Sequence, residues 1–172
     1  MSNFKWPLIN DNITKQDKKV MSDFILNSNK FTNGPKVKEF EQIWSNWLES
    51  DYSIMVNSGA SGNYISIAMV KELVGKGEVI VPPIGWSSDV SSIAQLGMTP
   101  VFADVSIDNF NMTAENIKNA ITSETKAIVL VHALGFNALT DEIVQIARDH
   151  NLILIEDCCE AHGAKFGDKK VG

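Results

Sequence analysis

The sequence predicts an α/β fold, a doubly wound and mostly parallel sheet with helices on both faces. Three observations predict it. First, residues 127–131 and 152–155 are unbroken aliphatic runs, the pattern of parallel strands buried on both faces, with the second run read as a central strand. Second, such runs alternate with stretches whose apolar residues recur at helical spacing, as βαβ units with right-handed crossovers require. Third, the strand-like segments end in small residues, glycines or charges, where open parallel sheets bind their ligands.

The elements follow in order. Residues 1–12 form a polar arm with Trp6, Pro7 and Leu8 as an apolar handle. Thr14, with Asp17 three residues on, caps a helix whose stripe is Val20, Met21, Phe24 and Ile25. Asn33-Gly34-Pro35 breaks the chain and opens a second helix carrying Val37, Phe40, Ile43, Trp44 and Trp47, read as core or interface residues. From Tyr52 the alternation becomes regular. Strands are expected at 53–56, 78–81, 100–105, 127–131 and 152–155. Helices are expected after Gly62 through Val74, at 90–96, at 114–121 capped by Thr113, and at 141–150 capped by Thr140. In the last of these, Ile143, Ile146 and Ala147 should face inward. The chain thus divides into an arm with helices over 1–50 and an α/β domain over 51–172.

Composition narrows the function. At 172 residues and 44% hydrophobic, the chain can bury a real core. A net charge of -6 without a long basic run argues against nucleic acid as a partner. No run approaches the roughly 18 apolar residues of a membrane span, and the N-terminus does not read as a signal peptide. The adjacent Cys158 and Cys159 suit neither a disulfide nor zinc ligation. These features together point to a cytoplasmic protein without a bound metal.

Three segments fall at the carboxyl ends of expected strands. The first, 57–62, is Asn-Ser-Gly-Ala-Ser-Gly, whose exposed N–H groups at a helix start suit a phosphate; a glycine-rich turn without a ligand is the alternative. It lacks both the dinucleotide fingerprint and the Walker pattern. The second holds Trp86, an indole able to lie against an aromatic ring or to pack in the core. The third is Asp157, either a counter-charge for a protonated pyridine nitrogen or a partner for a nearby cation. Phosphate loop, stacking ring and carboxylate together describe a pocket for pyridoxal phosphate.

On these residues the sequence resembles the DegT/DnrJ/EryC1/StrS sugar aminotransferases of the type I pyridoxal-phosphate fold. The matching residues are Gly34-Pro35 before Phe40-Glu41, Asn57-Ser58-Gly59-Ala60-Ser61 and Val79-Ile80-Val81-Pro82. They continue through Pro100-Val101-Phe102-Ala103-Asp104, Val131-His132 with Gly135, Ile155-Glu156-Asp157 and Ala161-His162-Gly163-Ala164. The resemblance implies that Gly59, Ala60 and Ser61 help hold the phosphate of pyridoxal or pyridoxamine 5'-phosphate. Trp86 would stack on the ring, Asp157 would meet its nitrogen, and Glu160 would stand near its 3-hydroxyl.

Ala60 stands where the family usually has threonine, and Glu160 where aminotransferases usually have glutamine. With Gly135-Phe136-Asn137 and Cys158-Cys159, these departures resemble the branch of 4-keto-6-deoxyhexose 3-dehydratases. The resemblance further implies a nucleotide-sugar substrate, a homodimer and a role in polysaccharide or lipopolysaccharide biosynthesis. The family's catalytic residue, lysine for transamination or histidine for dehydration, is expected beyond Gly172, and the chain reads as the front part of an enzyme. Lys165, Lys169 and Lys170 read as solvated turn residues. The competing reading is a catalytically inactive α/β domain that binds phosphate compounds or a partner.

Overall fold

The computed structural model describes residues 12–172. The arm with Trp6, Pro7 and Leu8 lies outside the described residues. Helix α1 (Lys15–Asn27) starts at Thr14, whose hydroxyl accepts the Asp17 N–H while the Asp17 carboxylate accepts the Thr14 N–H at 2.8 Å. Helix α2 (Pro35–Leu48) follows the break at Gly34, with Pro35 in its first turn. Then come α3 (Gly59–Val74), β1 (Glu78–Val81), α4 (Ser87–Gln95), β2 (Thr99–Phe102) and α5 (Ala114–Ala120). They are followed by β3 (Thr125–Val131), α6 (Asp141–Asp149), β4 (Ile153–Asp157) and the small antiparallel pair β5 (Lys165–Phe166) and β6 (Lys169–Lys170).

The four long strands pair in parallel, in the order β2-β1-β3-β4. Successive side chains of a strand point to opposite faces, and the two apolar layers follow from that. Val79, Val81, Ala127, Val129 and Val131 pack under Ile67 and Val70 of α3 and Ile93 of α4. Ile80, Ile128 and Leu130 pack under Ile117 of α5 and Ile143, Ile146 and Ala147 of α6. The sheet is therefore doubly wound, with helices on both faces as expected. Each fully buried isoleucine or leucine contributes about 1.5–3 kcal/mol of transfer free energy; Ile80, Ile128 and Leu130 lie on the two central strands, and Ile67, Ile93, Ile117 and Ile143 on the helices that cover them.

One expectation about strands needs correction. Residues 53–56 do not form a strand among the described residues. Ile54 and Met55 stay exposed, and the segment is tethered instead by side chains of α2: Glu41 accepts the Met55 N–H at 2.8 Å, and Ser45 bonds Ser53. A strand needs a neighbouring ladder, and here none is offered. Among the described residues β4 stands at the edge of the sheet. It is the outer strand beyond β3, half-buried along its whole length, because its second edge has no partner among the described residues.

The first two helices are unlike the sheet. The stripe on α1 leaves Val20, Met21 and Ile25 exposed, and no residue of α1 is buried. On α2, Trp44 is half-buried against Phe40, Trp47 and the His162 ring, with centroids 5.7, 4.9 and 5.4 Å away. The Lys170 ammonium sits 4.9 Å above Trp47. These contacts dock α2 onto the turns after β4. No described helix is long and apolar enough to cross a membrane.

Candidate functional site

In a doubly wound sheet a crevice opens where neighbouring strands send their connections to opposite faces. Here β1 continues into α4 on one face, and β3 into α6 on the other. The segments beyond the carboxyl ends of β1 and β4 accordingly frame a cleft of about 650 Å³, closed on its other side by the start of α3. Gly59, Ala60, Trp86, Asp157 and Glu160 all line it, together with Asn63, Ser88 and Cys159. Five residues picked from the sequence thus meet in one place, from segments up to 101 positions apart in the chain.

The α3 end is built by Ser58, whose hydroxyl accepts the Ser61 N–H at 3.2 Å. Ser61 turns its own hydroxyl back onto Asn57 Oδ1 at 2.7 Å, so it braces the turn behind the cleft wall. Gly59 and Ala60 present the first N–H groups of a sixteen-residue helix, where partial positive charge and unpaired donors collect. A Cβ at Gly59 would meet nothing within 4 Å, so the space in front of it is open to a ligand.

Trp86 is 58% exposed, which removes it from the core and leaves its ring as a wall between this cleft and a neighbouring apolar hollow of about 340 Å³. It shares the cleft wall with Cys159. Across the cleft stands Asp157. Burial alone would raise its pKa, but the Cys159 N–H at 3.0 Å, the Cys159 thiol and the Asn63 amide at 3.3 Å all favour the carboxylate. They hold it below the ordinary carboxylate range. An ionised carboxylate therefore faces the positive end of α3.

Glu160 lines the cleft and accepts the Leu134 N–H at 2.7 Å. That bond holds Leu134 in the left-handed region at φ 55°, next to Gly135 at φ 85°, where a Cβ would press on the Glu160 carbonyl at 3.2 Å. His132 is buried, and its Nδ1 accepts the Ala138 N–H at 2.9 Å. A backbone N–H can only donate, so the ring proton lies on Nε2 and is given to Glu156 at 3.0 Å. Cys158 brings its sulfur near this pair, and burial with the charges of Glu156 and Asp157 pushes its thiol up to about 12. The His132–Glu156 hydrogen bond, with the Cys158 thiol beside it, anchors the end of β4 under Asp157.

Two polar residues of the site were not picked out from the sequence. Asp89 is 2% exposed, and Asn63 lies 2.5 Å from it and 3.3 Å from Asp157. The sequence signal for Asp89 was its place three residues after Trp86, the third position of a helix. Nothing local distinguished Asn63.

The fold and the cleft define a class: a doubly wound α/β domain in which an anion-receiving helix end and an ionised carboxylate face each other at the carboxyl ends of parallel strands. Within that class, the chain belongs to the DegT/DnrJ/EryC1/StrS aminotransferase family, whose profile matches residues 12–172. It is 38% identical over 153 residues to a GDP-4-keto-6-deoxy-D-mannose 3-dehydratase of Escherichia coli O55:H7, covering 86% of this chain and 39% of that protein. It is 30% identical over 166 residues to a GDP-perosamine synthase of E. coli O157:H7, covering 96% of this chain and 45% of that one. Among solved structures, the E. coli GDP-4-keto-6-deoxy-D-mannose-3-dehydratase with bound hydrated pyridoxal phosphate superposes with a TM-score of 0.90. It is 35% identical, over 98% of this chain and 44% of the other. An aminotransferase from Psychrobacter cryohalolentis gives 0.87 at 33% identity, over 98% and 42%. The chain spans less than half the length of each of these proteins.

Proposed function

We propose that the cleft binds pyridoxal or pyridoxamine 5'-phosphate and that the whole protein acts on a nucleotide-linked 4-keto-6-deoxyhexose, by transamination or by dehydration at C3. The observation that carries this reading is Asp157, kept ionised across a cleft from the N-terminus of α3 with the exposed Trp86 ring beside it. The residues fit the group. The N–H groups of Gly59 and Ala60 would receive its phosphate, with Ser61 bracing the turn. Asp157 would hold a proton on its ring nitrogen, because each charge favours the other. Trp86 would cover one ring face and keep water from it. Glu160, engaged with Leu134, would keep its charge turned from the 3-hydroxyl.

The bound cofactor supplies an electron sink for bonds broken at the sugar. The residue that moves the substrate's proton is expected beyond Gly172: a lysine would favour transamination, a histidine dehydration. Ala60 and Glu160 favour the dehydratase branch by resemblance, as does similarity to proteins of that name. The exposed apolar residues on α1, α2 and α3, among them Ile25, Ile43 and Met69, support a homodimer. The two free thiols suit a reducing cytoplasm.

The test is product analysis. The full-length protein is incubated with GDP- and CDP-4-keto-6-deoxyhexoses, with and without glutamate, and the sugars are weighed by mass spectrometry. Loss of the C3 oxygen supports dehydration, and gain of an amino group supports transamination. An unchanged sugar in every case, with cofactor bound, would count against the substrate class.

A further inference from the structure

Asp89 sits at the third position of α4, where a carboxylate commonly reaches back to the N–H at the helix start. That explains one of its oxygens: Oδ2 accepts the Trp86 N–H at 3.1 Å, and the Asp89 N–H returns to the Trp86 carbonyl at 3.0 Å. It does not explain the rest. A capping carboxylate is ordinarily bathed in water, whereas Asp89 is 2% exposed, under Gly85 and against α3. A Cβ at Gly85 would stand 3.1 Å from Asp89 Oδ2, so the bare glycine makes room for this carboxyl. Its other oxygen meets the Asn63 amide at 2.5 Å, and the same amide reaches Asp157.

Burying a second carboxyl beside Asp157 is costly unless one proton stays between them. Asp89 keeps it: burial first, and then the Asp157 charge, raise its pKa to about 7, and the Asn63 amide joins the two carboxyls. The contacts run in one chain. Asp89 holds the Trp86 backbone, the Asn63 amide bridges Asp89 and Asp157, and the Cys159 N–H holds Asp157 in turn. An alanine would leave both cofactor contacts on separate loops.

We propose that Asp89 is a positioning residue that ties Trp86 and Asp157 into one unit around the cofactor ring. The proposal rests on the pyridoxal-phosphate reading of the cleft. Asp89 touches no reacting atom; it acts through its two neighbours. Asparagine can replace it: its amide oxygen accepts the Trp86 N–H, and with the Asn63 amide turned over its NH₂ donates to Asn63 Oδ1 and toward Asp157. Alanine cannot.

The experiment titrates full-length wild type, Asp89→Ala and Asp89→Asn with pyridoxal phosphate and with an analogue bearing C–H in place of the ring nitrogen. Folding is checked by circular dichroism, and Asp89→Ser takes the place of Asp89→Ala if the latter does not fold. The expected result is a loss of pyridoxal-phosphate affinity of at least tenfold in Asp89→Ala, a loss below threefold for the analogue, and near-wild-type binding in Asp89→Asn. Equal losses for both ligands would overturn the proposal by making Asp89 merely structural. So would wild-type affinity in Asp89→Ala, or an Asn variant as weak as the Ala one. Absence of binding by the wild type would instead overturn the reading of the cleft, and the wild-type arm alone reveals that.

Discussion

The sheet and the two helices before it obey different rules. In β1 and β3, six aliphatic side chains are wholly removed from water, and each is covered by a helix from the same 172 residues. On α1 and α2, equally apolar stripes remain exposed, with Ile25 at 55% and Ile43 at 58%. The same periodic signal in sequence thus means a self-contained core in one region and a surface awaiting a cover in the other. Stability should therefore live in the sheet and association in the helices.

The largest expected effect tests the first half of that comparison. Leu130→Ala removes a fully buried side chain between two layers and should cost about 2–5 kcal/mol in chemical denaturation. A cost below ~1 kcal/mol would mean the core is not closed. Ile43→Asp should leave the unfolding midpoint within about 0.5 kcal/mol of wild type, since the side chain is exposed. It should nevertheless weaken self-association at least tenfold in sedimentation. An unaltered association constant would remove α2 from the interface.

A third expectation concerns pH. The folded-state pKa of Asp89 is raised to about 7, so the unfolded chain releases this proton first as pH rises. Any stabilisation tied to its protonated form is present below the ordinary carboxylate range and is lost as pH climbs through 7. Relative to wild type, Asp89→Asn should gain thermal stability at pH 8 and none at pH 4. A gain of equal size at both pH values would contradict the burial of a shared proton. Smaller still is Thr14→Ala, which removes a reciprocal cap on exposed α1 and should cost about 1 kcal/mol or less of local helix stability, read by hydrogen exchange.

The comparison also explains what was legible. β1 was read to the residue, β3 and α6 to within two, because central aliphatic runs and threonine caps are local signals. The segment 53–56 carried the same β-forming residues but has no ladder to join, and pairing is not written locally. The aliphatic run of β4 was read as a strand and is one, since an unbroken aliphatic run is again a local signal. Gly59, Ala60, Trp86 and Asp157 were picked because each lies just past an expected strand or at a helix start, and Glu160 from the resemblance alone; all five line one cleft. Asp89 and Asn63 escaped because their importance arises from contact across 26 positions of chain.

The central claim is that Asp157 is the counter-charge of a pyridoxal-phosphate site. The direct test is a spectroscopic titration of full-length wild type and Asp157→Ala with pyridoxal phosphate, both checked for folding. The account predicts saturable binding by the wild type and an affinity at least tenfold lower in Asp157→Ala, since one pKa unit of lost charge pairing is about 1.4 kcal/mol. Equal affinity in the two proteins would contradict it.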